Sequence, residues 1–265
     1  MKIAKKILFI LLSLTTCDGY CQNLDRTFYL KFEAIANQEK SAARLYQRVD
    51  SIKQTREPVN SNIKLVYDRD VDFGYTHRLI NITLNGTYDY HINLLVHNDT
   101  ICLSSVLYGQ GASIRYNDYD RKSNILRNHP KIDTVKAIQY LKLRNAFYDY
   151  AKTIDDLKNE LNEHEMFGLH CGDGANETDE ARSIDSLAKH KQIAKLREML
   201  VSICSETQAY GIYGYMRLKK YAFKITKKDL RIFNYLVNRK THLYECHGDI
   251  AGVFPRDGYI RNKAY

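Results

Sequence analysis

Tryptophan is absent from the chain, proline occurs three times, and after the opening residues no apolar run approaches the roughly 20 residues that a membrane-spanning helix needs. The last absence excludes a permanent helical anchor in the body of the sequence. The scarcity of proline suits a helix-rich fold, because proline removes a donor from the helical ladder. Catalytic signatures are missing as well. There is no Gly-Xaa-Ser-Xaa-Gly, no phosphate-binding glycine loop and no dinucleotide fingerprint, and His164-Glu165 lacks the second histidine of a His-Glu-Xaa-Xaa-His zinc site. The nine histidines follow no motif. With no legible grouping of acid, base and nucleophile, the expectation is a protein that is not an enzyme and takes no cofactor.

What is present is ordinary for a folded protein. The 265 residues are 44% hydrophobic and 27% charged, enough for one large core or two smaller ones and too apolar for pervasive disorder. The formal net charge of +9 favours anionic partners. Nucleic acid has only that charge in its favour and no recognition module, so a protein or an anionic cell-surface polymer is the expected partner.

The first 21 residues read as a secretory leader. Lys2, Lys5 and Lys6 form a positive start, Ile7 to Leu14 is apolar apart from Ser13, and Gly19 and Cys21 place small residues around Tyr20. Cleavage is expected after Cys21, which implies a secreted or periplasmic protein. The alternative is a lipoprotein acylated at Cys17, although Leu14-Thr15-Thr16-Cys17 carries threonine where a smaller residue is usual. Sequons at Asn81, Asn85, Asn98 and Asn176 matter only in a eukaryotic secretory pathway.

The fold expected is α+β and mostly helical: a mixed domain over 22–167, a linker loop over 168–180 and a helical domain over 181–265. Leu24 to Thr55 reads as one amphipathic helix, ended by Glu57-Pro58. Period-two alternation then marks an antiparallel meander over 61–108 with one buried face, and Asn85-Gly86 is its clearest hairpin turn. A long helix is predicted over 134–165, burying Val135, Ile138, Leu141 or Leu143, Phe147 and Tyr150.

From Ile184 to Lys240 the spacing predicts three short helices. Ile184, Leu187, Ile193, Leu196, Leu200 and Ile203 line the first; Ser205 caps the second; Thr226, with Asp229 three residues on, caps the third. Leu196-Arg-Glu-Met-Leu200, Cys204-Ser-Glu-Thr-Gln-Ala-Tyr-Gly211, Thr226-Lys-Lys-Asp229 and Tyr244-Glu-Cys-His-Gly248 resemble the C-terminal part of uncharacterised secreted bacterial proteins. The helices resemble a HEAT-type hairpin. That resemblance implies architecture and compartment and assigns no functional residue.

Four cysteines follow the leader. Cys204 starts the second of these helices and Cys246 follows the third, so an antiparallel pair would return them to one end, and a Cys204–Cys246 disulfide is predicted. Cys102 lies in a strand and reads as a buried thiol. His170-Cys171 and Cys246-His247 have the residue types of a zinc site, but the disulfide competes for Cys246 and adjacent ligands strain one site. The Asp173 to Glu180 segment lacks the acid spacing of a calcium loop and reads as an acidic helix start, so no metal is expected.

Two functional surfaces remain. Tyr210, Gly214, Arg217 and Tyr221 share a helix face, and an exposed aromatic and basic face would hold a sugar or an anionic polymer, with Tyr210, Arg217 and Tyr221 as contacts. Read blandly, the same face packs against its neighbours, as a glycine there suggests. The alternative function is an exported hydrolase with a site between the two parts, near His170, Asp173 and His247.

Overall fold

The computed structural model describes residues 27–52, 61–84, 88–110, 130–163 and 165–256. The predicted leader, Cys17, the predicted Asn85-Gly86 turn, His164 and the last nine residues lie outside the described residues. Among those described are eight helices and nine strands, an α+β arrangement whose five-stranded antiparallel sheet is a meander in the order β1-β2-β3-β4-β5. The sheet strands are β1 (Ser61–Asp70), β2 (Tyr75–Leu84), β3 (Tyr88–His97), β4 (Thr100–Gln110) and the short β5 (Lys131–Ile132).

The chain forms two compact units. The first comprises Met1–Lys64, Ile80–Ile92 and Ser104–Lys131; the second comprises Leu65–Leu79, Asn93–Leu103 and Ile132–Tyr265. Strands β1 to β4 each contribute residues to both units. In β2 the buried positions are Tyr75, His77 and Leu79, then Ile80, Ile82 and Leu84. Successive side chains of a strand point to opposite faces, so the buried set changes face at the boundary. The expected single buried face does not describe this strand.

In the first unit, helix α1 (27–38) buries Phe28, Phe32, Ile35 and Ala36, the i, i+4, i+7, i+8 stripe of one helix face. The single helix expected over 24–55 is in fact two. Ser41 interrupts it by capping α2 (Ala42–Ser51), its hydroxyl accepting from the Arg44 amide at 3.2 Å. Phe32 packs on Tyr90 at 5.1 Å between ring centres, and Ser104 Oγ donates to the Ala36 carbonyl at 3.1 Å.

In the second unit the predicted long helix is likewise two, α3 (Thr134–Tyr148) and α4 (Ile154–Leu161). Asp149 turns left-handed at φ 46°, and Thr153 with Asp156 forms a reciprocal capping box. The stripe buried on α3 is Ala137, Tyr140, Leu141, Arg144 and Tyr148, whereas Val135, Ile138 and Leu143 are exposed. Apolar residues surround this helix on all sides, so their spacing does not identify the buried face.

The three helices expected from Ile184 to Lys240 are four. Lys191, at φ 56°, splits the first into α5 (Asp179–Lys189) and α6 (Ile193–Leu200). These are followed by α7 (Ser205–Lys220) and α8 (Lys227–Asn238). Thr226 caps α8 as predicted, accepting from the Asp229 amide at 3.1 Å, but Cys204 rather than Ser205 is the cap residue of α7. Gly211 and Gly214 let α7 approach its neighbours. A Cβ at Gly211 would lie 2.3 Å from the Leu200 backbone nitrogen, and one at Gly214 would lie 2.5 Å from Leu196 Cδ2 and 3.2 Å from Ile184 Cγ2.

Arginines complete three helix ends of this unit, where carbonyls lack intrahelical partners. Arg144 Nη2 donates to the carbonyls of Val201 at 2.8 Å and Ser202 at 2.6 Å, at the end of α6. Arg197 Nη2 reaches the carbonyls of Tyr148 and Asp149, which end α3. Arg256 Nη2 donates to the carbonyls of Leu236 and Arg239 at the end of α8.

The segment 168–180 is not a plain linker. It holds a hairpin of β6 (His170–Cys171) and β7 (Asn176–Glu177), turning through Gly172 and Gly174 at positive φ. Beyond α8, β8 (His242–His247) pairs antiparallel with β9 (Ile250–Pro255). Residues 167–172 run parallel to β8: the Cys246 amide donates to the Phe167 carbonyl at 2.9 Å, and the Gly248 amide to the His170 carbonyl at 3.0 Å.

That alignment overturns the predicted Cys204–Cys246 pairing. Cys246 is bonded to Cys171, their Cα atoms 5.8 Å apart, while Cys102 and Cys204 are free and buried. Extended chain advances about 3.3 Å per residue, so β8 carries Cys246 away from the helix ends and alongside β6. Cys204 instead directs its thiol at Glu206 Oε2, at 3.5 Å.

Candidate functional site

The helix face singled out by sequence divides once its side chains are placed. Tyr210 is 6% exposed; its ring packs on Phe167 at 4.8 Å, and its hydroxyl accepts from the Gly168 amide at 3.1 Å and lies 3.2 Å from the Met166 carbonyl. It anchors the chain entering β6. Arg217 and Tyr221 do come together, on Asp185 of α5: Arg217 Nε pairs with Asp185 Oδ1, and the Tyr221 hydroxyl donates to Oδ2 at 2.9 Å. The Arg217 hydrogen bond, working against partial burial and helped by Tyr221, holds the Asp185 carboxyl below its ordinary range. Together with the close approach at Gly214, this is the geometry of packing between helices.

A larger group of polar residues, none of them marked by a sequence motif, lies inside the second unit. Asp72 sits in the β1–β2 turn at φ 94°, followed by Phe73 at 56° and Gly74 at 79°. Left-handed backbone is unfavourable for side chains with a Cβ, and the turn projects a carboxylate into the interior. There Asp72 pairs with Arg239, accepts from the Tyr148 hydroxyl at 2.9 Å and the Tyr235 hydroxyl at 3.2 Å, and lies 3.8 Å from Arg144 Nε. Burial alone would raise the Asp72 carboxyl; Arg239 and Arg144 outweigh it and hold the group below the carboxylate range. Arg239 continues to Gln208 Oε1 at 2.6 Å.

A second buried pair joins Arg69 to Glu206. The Arg69 guanidinium lies over the Tyr67 ring at 4.0 Å and reaches His77 Nδ1 at 3.3 Å. Since arginine only donates, Nδ1 accepts, and Nε2 carries the proton toward Asn93 Oδ1 at 3.0 Å. Glu206 also accepts from the Tyr244 amide at 2.8 Å, so the pair fixes the start of α7 against β8. The signal that was present in the sequence is positional. Arg144 occupies the i+7 place of the Ala137, Tyr140, Leu141, Tyr148 stripe, where periodicity reserves an inward direction.

The residues of the hydrolase alternative lie near β8. His170 and Asp173 are exposed on the β6–β7 hairpin. On β8, Glu245 Oε1 meets His247 Nε2 at 2.8 Å, and His247 packs edge-on against Phe254 at 5.5 Å. Glu245 is buried and its Oε2 accepts no hydrogen bond among the described residues. Burial raises its carboxyl, opposed in part by His247. The Cys204 thiol is also pushed upward by burial and by Glu206, which keeps it protonated and unreactive.

Among the described residues, no group of three or more His, Cys, Asp and Glu side chains is arranged to hold a metal ion, and no helix is long and apolar enough to cross a membrane. Comparison with protein-family models, with curated proteins and with solved structures gave no match.

Proposed function

We propose that the protein is exported and acts as a non-enzymatic binding module, contacting its partner through its outer surface rather than an enclosed site. The observation that supports this reading is the pairing of the buried carboxylates in the second unit: Asp72 with Arg239, which continues to Gln208, and Glu206 with Arg69, two sets that pin β1, α7, α8 and β8. Charges spent on one another in the interior fasten these elements together and leave the outer surface to meet a partner. The Cys171–Cys246 bond and the leader-like Lys2 to Cys21 support export. Kinship with secreted bacterial proteins bearing a HEAT-type hairpin belongs to the same proposal and rests on the resemblance in residues 196–248. The test is mass spectrometry of the exported fraction, where mature protein starting at Gln22 with Cys171 and Cys246 linked is expected. Protein confined to the cytoplasmic fraction with Met1 intact overturns export.

One observation favours the second reading, an exported hydrolase near His170, Asp173 and His247. A buried carboxylate orienting a partly exposed histidine is the arrangement that prepares a general base. Assay against ester, peptide and glycoside reporters decides between them: turnover abolished by His247→Ala establishes the hydrolase and overturns the binding module.

A further inference from the structure

The end of α7, its connection and the start of α8 carry six cations, Arg217, Lys219, Lys220, Lys224, Lys227 and Lys228, with no acid between the first and the last. Two acids from other elements of the same unit reach this knuckle: Asp185 pairs with Arg217 and Asp149 with Lys228. A surplus of four positive charges remains within twelve residues, against +9 for the whole chain. Lys219, Lys220, Lys224 and Lys227 are exposed and form no ion pair among the described residues; Lys219 rests over the Phe233 ring at 5.1 Å.

Fold stability accounts for only part of this. Lys219 and Lys220 suit the negative end of α7, but Lys227 stands in the first turn of α8, where a cation is unfavourable. The patch has the form of a knuckle between two helices, with charge spread over both helix ends and the connection. Its rings, Tyr221 and Phe223, are half-buried against the core, and the Tyr221 hydroxyl is held by Asp185. They are not laid open as a sugar-stacking platform requires. Compact ammonium charges without a bidentate fork match a diffuse array of phosphates better than a single carboxylate or phosphate group.

We propose that this knuckle docks on an anionic bilayer, Lys219, Lys220, Lys224 and Lys227 lying among acidic phospholipid headgroups. The proposal rests on the reading of the chain as a surface-binding module and names its partner. Each lysine near an anionic membrane strengthens partitioning about fivefold.

The test is co-sedimentation of the full mature chain with vesicles of phosphatidylcholine alone and with phosphatidylglycerol added. Binding is expected only to the second, and is expected to fall as salt shortens the screening length from about 10 Å at 0.1 M to about 3 Å at 1 M. Replacing Lys219, Lys220, Lys224 and Lys227 by Gln is expected to lower partitioning by more than a hundredfold, at about fivefold per lysine. A matched variant, Lys64, Lys189, Lys191 and Lys195 to Gln, removes four exposed lysines elsewhere and is expected to keep most of the binding. Equal loss in both variants, no vesicle binding, or binding to soluble polyphosphate without vesicle binding each overturns the assignment. None of these touches the broader reading, which fails separately if His247-dependent turnover is found.

Discussion

Asp72 and Arg239 stand 167 positions apart in the chain and meet as a buried ion pair that ties the β1–β2 turn to the residue ending α8. Removing one partner leaves the other charge stranded in the interior, which costs about 3–5 kcal/mol for a buried pair. Asp72→Asn is therefore expected to lower stability by that order in urea unfolding. Asp185→Asn, at the Arg217 contact whose side chains are 25% and 26% exposed, is expected to cost less, about 1 kcal/mol. Equal effects at the two positions would show that the Asp72 network is not the stronger fastening.

The same pair sets an acid limit. The folded-state Asp72 carboxyl titrates below the ordinary value of about 3.9. Its stabilising contribution is complete above that value and is lost as pH falls through the folded one. Wild-type protein is expected to lose stability on acidification below about pH 4 more steeply than Asp72→Asn. Superimposable acid profiles would remove Asp72 as the source.

The disulfide makes a topological claim that peptide mapping checks directly. Non-reducing digestion is expected to yield one linked peptide containing Cys171 and Cys246, with Cys102 and Cys204 alkylated only after unfolding. Burial pushes the Cys102 thiol up to about 11, so it too stays protonated and slow to react at neutral pH. The bridge spans 75 residues, for which loop-closure entropy gives about 4.5 kcal/mol. Cys171→Ser/Cys246→Ser is expected to lose an amount of that order, and Cys204→Ser to leave the linked peptide unchanged. Recovery of a Cys204–Cys246 peptide would restore the pairing suggested by helix geometry.

What was legible in the chain was local. Alternation in residues 61–108 marked the meander, and Thr226 with Asp229 marked the start of α8, because both signals act within a few residues. The helix breaks at Ser41, Asp149 and Lys191 were not legible. Two of them turn on left-handed backbone at residues without a glycine signature, and the third is a cap inside an otherwise continuous apolar period. The buried network was invisible for a different reason: Asp72 meets Arg239, and Arg69 meets Glu206 137 positions away, only after the fold forms. Tyr210, Arg217 and Tyr221 share a helix face as their spacing implied, but spacing does not reveal what stands opposite, and Asp185 and Phe167 stand there.

Gly211 and Gly214 test how tightly α7 is seated. At Gly211 a methyl group would collide with the Leu200 backbone, which cannot rotate away, whereas at Gly214 it meets the far end of the Leu196 side chain. Gly211→Ala is expected to cost more than the about 1–3 kcal/mol typical of overpacking, and Gly214→Ala to fall within that range. The check is chemical denaturation of the two variants side by side. Equal or reversed costs would mean that α6 and α7 lie farther apart than described.

Glu245 reverses the pH sign of Asp72. Its carboxyl is raised above the ordinary value of about 4.3 because burial disfavours the charged form, and Oε2 has no donor among the described residues to compensate. An acid raised by folding contributes stability below its unfolded pKa, and that contribution is lost as pH rises through the folded one. Between about pH 4 and 6, below the main histidine titration, wild-type protein is expected to lose stability relative to Glu245→Gln as pH increases. Gln keeps an acceptor for His247 Nε2 and carries no charge, so the difference between the two urea-midpoint profiles isolates the buried ionisation. The two profiles should converge at the acid end, where both side chains are neutral. Profiles that stay parallel across the window would show that Glu245 ionises there at no cost to the fold.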